Sequence, residues 1–247
     1  MGNIIKKDDN PNAGFAITKD DGKLRIGSKT SPFQQRAKQA QAQANDAVTL
    51  PNRLCLMLDG SSSMHGESGP GWFGPKKIDL LHQAIENFVN RCNLSDTAIA
   101  IETFPKGTHL AMTNVGISII MTAQSINASG DTPMHYCVEQ SISEHSMTRG
   151  IIVSDGEATD WRYEGADEVL RKYNEGGIPI DTVHIGDSTG GEELLRRIAK
   201  ITGGIYCKFT DVGSFATAFA YLTPGYRAML MNGSVSAADL GADEINR

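Results

Sequence analysis

Apolar positions along this chain follow two periods. LCLML (54–58) and GIIVSDG (150–156) are continuous apolar runs of strand length, the pattern of strands buried on both faces. TAIAIETF (97–104), THLAMT (108–113), IPIDTVHIGD (178–187) and IYCKF (205–209) bring the predicted strands to six. Between them, IDLLHQAIENFVNRC (78–92), TPMHYCVEQSISEH (132–145), DEVLRKYNEGG (167–177) and GEELLRRIAKITGG (191–204) carry apolar residues at helical spacing. The last two stop at glycines. A further apolar helix is expected at about 212–230. This alternation predicts an α/β fold over residues 50–230: a doubly wound, mostly parallel six-stranded sheet with helices on both faces, Rossmann-like in layout.

The flanks read differently. FAITKDDGKLRI (15–26) places two short alternating runs around Asp-Gly, a hairpin signal. PFQQRAKQAQAQANDA (32–47) has helix propensity but no wide apolar stripe. Residues 1–49 are therefore expected to form an N-terminal extension, and residues 231–247 a polar C-terminal tail.

Composition narrows the function classes. Of 247 residues, 40% are hydrophobic and 21% charged, as in an ordinary folded protein, and the net charge of −6 gives no overall footprint for nucleic acid. Residues 1–49 differ, with eight Lys/Arg against five Asp, about +3, which leaves about −9 for the rest. An apolar leader and a membrane-length segment are both missing from the pattern. Cys55, Cys92, Cys137 and Cys207 are widely spaced within apolar patterns, which suits buried free thiols. A cytoplasmic protein without membrane contact is expected.

The chemistry converges on one edge of the sheet. In a doubly wound sheet, ligands bind outside the carboxyl ends of the strands, near the point where strand order reverses. Three segments bring oxygens there. The first strand delivers Asp59, Ser61 and Ser63, the ASGDTPM loop delivers Thr132, and VSDGE delivers Asp155. Alone, an aspartate followed by serines is a good turn or helix cap. Together the five residues make an oxygen-only set that suits a hard cation, Mg²⁺ first, with Mn²⁺ or Ca²⁺ as alternatives, and disfavours zinc.

Asp59-x-Ser61-x-Ser63, then a Gly-x-Thr-Pro loop, then an apolar strand ending Asp155-Gly156-Glu157, resembles the von Willebrand factor A domain with its metal-ion-dependent adhesion site. HIGD…ELLRRIAKITGGIYCKF is similar to the later part of that domain, so the resemblance covers roughly residues 50–230. It departs at Ser62 and Asp131, where glycine is common, and neither change removes a ligand oxygen. The resemblance implies direct contact of Ser61 and Ser63 with the ion, with Thr132 joining when a partner binds. It implies that Asp59 and Asp155 act largely through waters, and that an Asp or Glu of a partner protein completes the coordination. It further implies a stand-alone, prokaryotic-type cytoplasmic adaptor rather than an enzyme, in some cases working with a MoxR-type AAA+ ATPase.

Other motifs compete. GDSTG (186–190) matches a hydrolase elbow at Ser188, but all six histidines precede it, against the order such enzymes require. GPGWFGPKK (69–77) has two glycines at phosphate-loop spacing, yet Pro75 stands where the lysine must be. A hydrolase using Ser188 or the metal site, and a nucleic-acid-associated protein using the basic extension, are the alternatives to the adaptor. Trp72 with Phe73, and Trp161, lie in segments beside the metal edge and are candidate partner anchors.

Overall fold

The computed structural model describes residues 15–20, 23–28, 47, 49–66, 75–105, 107–156, 158–161, 166–186, 188–210, 214–215 and 218–246. The chain divides into two compact units, Met1–Gln43 and Ala44–Arg247. In the first, strands β1 (Phe15–Asp20) and β2 (Lys23–Ser28) pair antiparallel, from Phe15 opposite Ser28 to Asp20 opposite Lys23. The Ala/Gln-rich segment at 32–47 lies outside the described residues except for Ala47.

The second unit is a seven-stranded sheet. Its strands are β3 (Asn52–Asp59), β4 (Thr97–Phe104), β5 (His109–Thr113), β6 (Arg149–Ser154), β7 (Ile180–Ile185), β8 (Tyr206–Phe209) and β9 (Glu244–Asn246), in the spatial order β5-β4-β3-β6-β7-β8-β9. The five central strands are parallel, and the edge strands β5 and β9 run antiparallel to their neighbours. Helices α1 (Lys77–Arg91) and α2 (Gly116–Gln124) pack into the hydrophobic core on one face. Helices α3 (Met134–Glu144), α4 (Ala166–Glu175) and α5 (Thr189–Thr202) cover the other. Along β3, Leu54, Leu56 and Leu58 enter the first core, while Cys55 and Met57 enter the second. Both faces are dry, which is why the run shows no polar alternation.

The sheet has one strand more than the six expected, and the extra one comes from the polar segment 231–247. There α7 (Ala237–Leu240) is opened by a capping box, Leu240 and Ala242 are buried, and β9 pairs with β8. Arg196 of α5 binds Glu244, and Thr210 donates two hydrogen bonds to Asp243. These anchors lie tens of residues away in sequence, so local polarity concealed the strand. The single helix expected at 212–230 is also corrected. A 3-10 turn at Phe219–Leu222 ends at Thr223, which has ψ 151°, and α6 (Pro224–Met231) starts afresh with proline in its first turn. Proline disfavours a helical conformation in the residue before it and pushes that residue to extended backbone. Helix α2 has no counterpart in the predicted elements, because the β-branched residues of GISIIMTAQ weaken the helix signal. Among the described residues no helix is long and apolar enough to cross a membrane.

Candidate metal centre

From β3 the chain crosses to β4 on one side, and from β6 it crosses to β7 on the other, so strand order reverses between β3 and β6. Asp59 is the last residue of β3, and Asp155 directly follows β6. The fold therefore carries both carboxylates to the crevice where such sheets bind ligands.

Asp59 is fully buried. Its Oδ1 accepts from the Ser61 backbone N–H at 2.8 Å, and its Oδ2 accepts from Ser154 Oγ at 2.5 Å. Ser61 Oγ lies 2.8 Å from Ser63 Oγ, which in turn donates to Asp155 Oδ1 at 2.7 Å. Asp59, Ser61, Ser63 and Asp155 are thus joined in one hydrogen-bonded chain, in which the Ser61 N–H is the link to Asp59. Thr132 is held beside them through backbone contacts. Ser62 N–H donates to Gly130 O at 3.0 Å, Ser129 N–H to Gly60 O at 2.7 Å, and Thr159 N–H to Thr132 O at 2.9 Å. Among the described residues no side-chain hydrogen bond links Thr132 to the other four. Ser62 and Asp131, the two departures from the motif, are both exposed. Gly191 allows a further close approach, since a Cβ there would come within 2.6 Å of Gly156 O. The first turn of α5 packs against the Asp155 loop for that reason.

The electrostatics favour a cation. Burial pushes the Asp59 carboxyl up from 3.8 to about 6; hydrogen bonds from Ser154 and Ser61 oppose this, and the charge of Asp155 adds to it. Two carboxylates in a dry crevice repel one another, and a positive charge relieves both. The chain supplies one such charge itself, because Lys77 Nζ sits 2.5 Å from Asp155 Oδ2. Sequence reading passed over Lys77, yet a signal was present. Lys76 and Lys77 open α1, where the helix dipole disfavours positive charge, so a lysine there calls for a specific acidic partner.

The other singled-out residues fall as follows. Trp161 is half-buried, packs against the α3–α4 core, and meets the His135 ring edge-on at 5.4 Å. Its neighbour Asp160 accepts from the His135 and Tyr136 N–H groups, both at 2.9 Å, and so caps α3. Trp72 and Phe73 lie outside the described residues. Ser188 is the N-cap of α5, its hydroxyl accepting from Gly191 N–H at 3.5 Å. That is the role of a strand-to-helix turn. All four cysteines are free, with Cys55, Cys137 and Cys207 buried.

Fold and crevice together define a doubly wound α/β domain whose switch point is lined by oxygens suited to a hard cation. No family model and no curated protein matches the chain, but solved structures do. A von Willebrand factor type A protein from Catenulispora acidiphila is 18% identical, with TM-score 0.56 over 70% of this chain and 42% of its own. BatB from Bacteroides thetaiotaomicron is 18% identical, with TM-score 0.55 over 68% of this chain and 95% of its own. Proximal thread matrix protein 1 from the mussel byssus, with a zinc-occupied MIDAS motif, is 16% identical, with TM-score 0.55 over 68% of this chain and 43% of its own. The chain spans less than half the length of the first and third of these. It has the von Willebrand factor A fold, in agreement with the resemblance read from its motifs.

Proposed function

We propose that this chain is a divalent-cation-dependent protein-binding module and not an enzyme. Asp59, Ser61, Ser63, Thr132 and Asp155 would hold Mg²⁺, with Mn²⁺ or Ca²⁺ as alternatives. When bound, the ion supplies a Lewis-acidic position for an Asp or Glu side chain of a partner protein. The observation that carries this reading is the hydrogen-bonded chain at the switch point that runs from Asp59 through the Ser61 N–H, and from the Ser61 hydroxyl through Ser63 to Asp155. Asp59 is locked by Ser154 and the Ser61 N–H, so it positions the serine turn. Ser61 and Ser63 are neutral, which limits the negative charge the cradle presents and leaves room for an acidic partner group. Lys77 neutralises one carboxylate in the meantime, and its flexible stem lets it withdraw. The mussel protein carries zinc at the corresponding motif; the preference for Mg²⁺ here rests on an oxygen-only donor set. The free thiols support a reducing compartment, the cytoplasm, and an adaptor role in a multiprotein assembly with an AAA+ ATPase is the reading for the partner.

The test is affinity capture with Mg²⁺ and with EDTA, comparing wild type with Ser61→Ala/Ser63→Ala. The reading expects a partner that is retained with Mg²⁺, released by EDTA and missing from the variant. Retention that ignores both the metal and the substitutions would sink it.

A further inference from the structure

Away from the switch point, one ionisable side chain interrupts the strand TAIAIETF. Glu102 on β4 stands directly opposite His109 on β5 in the antiparallel register, the arrangement that brings two side chains together on one face. His109 Nδ1 lies 2.5 Å from Glu102 Oε1, and His145 Nε2 approaches the same oxygen at 2.8 Å. Glu144, the last residue of α3, adds Oε2 at 3.8 Å from His109 Nδ1. The two imidazoles stack with centroids 5.5 Å apart and planes 18° from parallel. One ligand atom from each of the four residues falls within 4.8 Å of all the others. Glu102 and His145 are buried, whereas His109 and Glu144 are exposed.

We propose that Glu102, His109, Glu144 and His145 form a second metal site, built for a borderline transition-metal cation of the zinc class. An ordinary buried ion pair needs one histidine against one carboxylate. Here two imidazole nitrogens face one carboxylate oxygen, and each needs a proton to donate to it. A single cation replaces both protons and also engages Glu144. Two nitrogens and two carboxylates are a donor set that zinc accepts. Zinc–ligand bonds of about 2.0–2.2 Å in a tetrahedron put neighbouring donors roughly 3.3–3.6 Å apart, and the 2.5, 2.8 and 3.8 Å separations bracket that spacing. The donors come from two strands and the end of a helix, so the framework holds them together without an ion. Access is provided by a cavity of ≈180 Å³ lined by Glu102, His109 and Glu144 together with Tyr136 and Gln140. Imidazole donors make the site a poor one for Mg²⁺. The inference does not rest on the proposed adaptor function.

The test uses the purified full chain, freed of metal and then held in excess Mg²⁺ to load the oxygen cradle. Zn²⁺ is titrated by calorimetry, and Co²⁺ serves as the visible-absorption probe. The variants are His109→Gln and Glu144→Gln, both at exposed positions, and Ser61→Ala/Ser63→Ala, with folding checked by circular dichroism. The expected result is one Zn²⁺ per chain in wild type, with Co²⁺ bands of low coordination number. Affinity should fall about tenfold or more in His109→Gln and in Glu144→Gln, and both signals should persist in Ser61→Ala/Ser63→Ala. Three results overturn the proposal: no Zn²⁺ binding against Mg²⁺, affinity unchanged in both single variants, or binding lost with the serines. Loss of Mg²⁺ binding in the serine variant alone concerns the oxygen cradle and leaves this site standing.

Discussion

Helix α3 has a polar cluster at each end, and the two solve the same electrostatic problem differently. Before its first turn lies Thr132, beside the hydroxyls and carboxylates of the crevice; at its last turn lie Glu144 and His145, beside Glu102 and His109. Both clusters bury a carboxylate on a sheet strand, Asp59 in one and Glu102 in the other. Glu102 is held below the ordinary carboxylate range: burial pushes it up, but the bonds and charges of His145 and His109 outweigh that. Asp59 is pushed above its range, because burial dominates and its hydrogen-bond partners are neutral. A carboxylate held by two imidazoles is compensated within the chain, and one held by hydroxyls and a backbone N–H is not. The uncompensated one is where an external cation gains most, while the other exchanges protons for a metal.

That contrast can be broken most forcefully at Asp59. Its pKa is about 6 in the folded chain against 3.8 in the unfolded one. The stability tied to its proton is therefore fully present below pH 3.8 and lost as pH rises through 6. Asp59→Asn keeps the site neutral, so metal-free Asp59→Asn should be more stable than wild type at pH 7.5, by up to about 3 kcal/mol. The gap should close near pH 4. Urea unfolding in EDTA at the two pH values measures it. No gap would mean that Lys77 already compensates the crevice as fully as the histidines compensate Glu102.

Next in size is the effect on cations. Asp59→Ala should weaken Mg²⁺ by about 100-fold, since it removes both a charge and the anchor of the serine turn. Zn²⁺ affinity at the Glu/His cluster should not change, and calorimetry with each ion separates the two. A smaller effect is expected from Lys77→Met, which removes the internal competitor for Asp155 and should tighten Mg²⁺ by about tenfold, on the order of 1.4 kcal/mol. Weaker Mg²⁺ binding in that variant would instead make Lys77 a supporting element of the cradle. The smallest effect is the coupling. Met134 to Glu144 spans about 15 Å of helix at 1.5 Å per residue, and the clusters share no side chain. Asp59→Ala and His109→Gln should then add within about 0.5 kcal/mol in thermal or urea unfolding. A larger interaction would show that α3 transmits between its ends.

The oxygen cradle was legible because most of it is local. Asp59, Ser61 and Ser63 are one short motif, and the ends of apolar strands announce the edge that Thr132 and Asp155 share. The Glu/His cluster was not, because its members are singletons at 102, 109 and 144–145 that read as an ordinary strand, turn and helix end. A carboxylate inside an apolar strand was the available sign. β9 escaped notice because a three-residue polar strand has no periodicity of its own and depends on Arg196 and β8 for its place. The apolar content of 212–230 suggests one helix, but Pro224 breaks it into a 3-10 turn and α6.

The chain's order of apolar runs and helical repeats determined a doubly wound sheet, and its D-x-S-x-S turn determined which edge carries hydroxyls. Both follow from short-range pattern: strand and helix periods differ, and a turn's donors lie within a few residues. Tertiary structure alone decided that Lys77 neutralises Asp155, that Trp161 packs on α3, and that Glu102 meets two histidines. Those contacts join residues 26 to 78 positions apart in three of the four pairings, and only the closing of the sheet and the docking of its helices bring such distant side chains within bonding range.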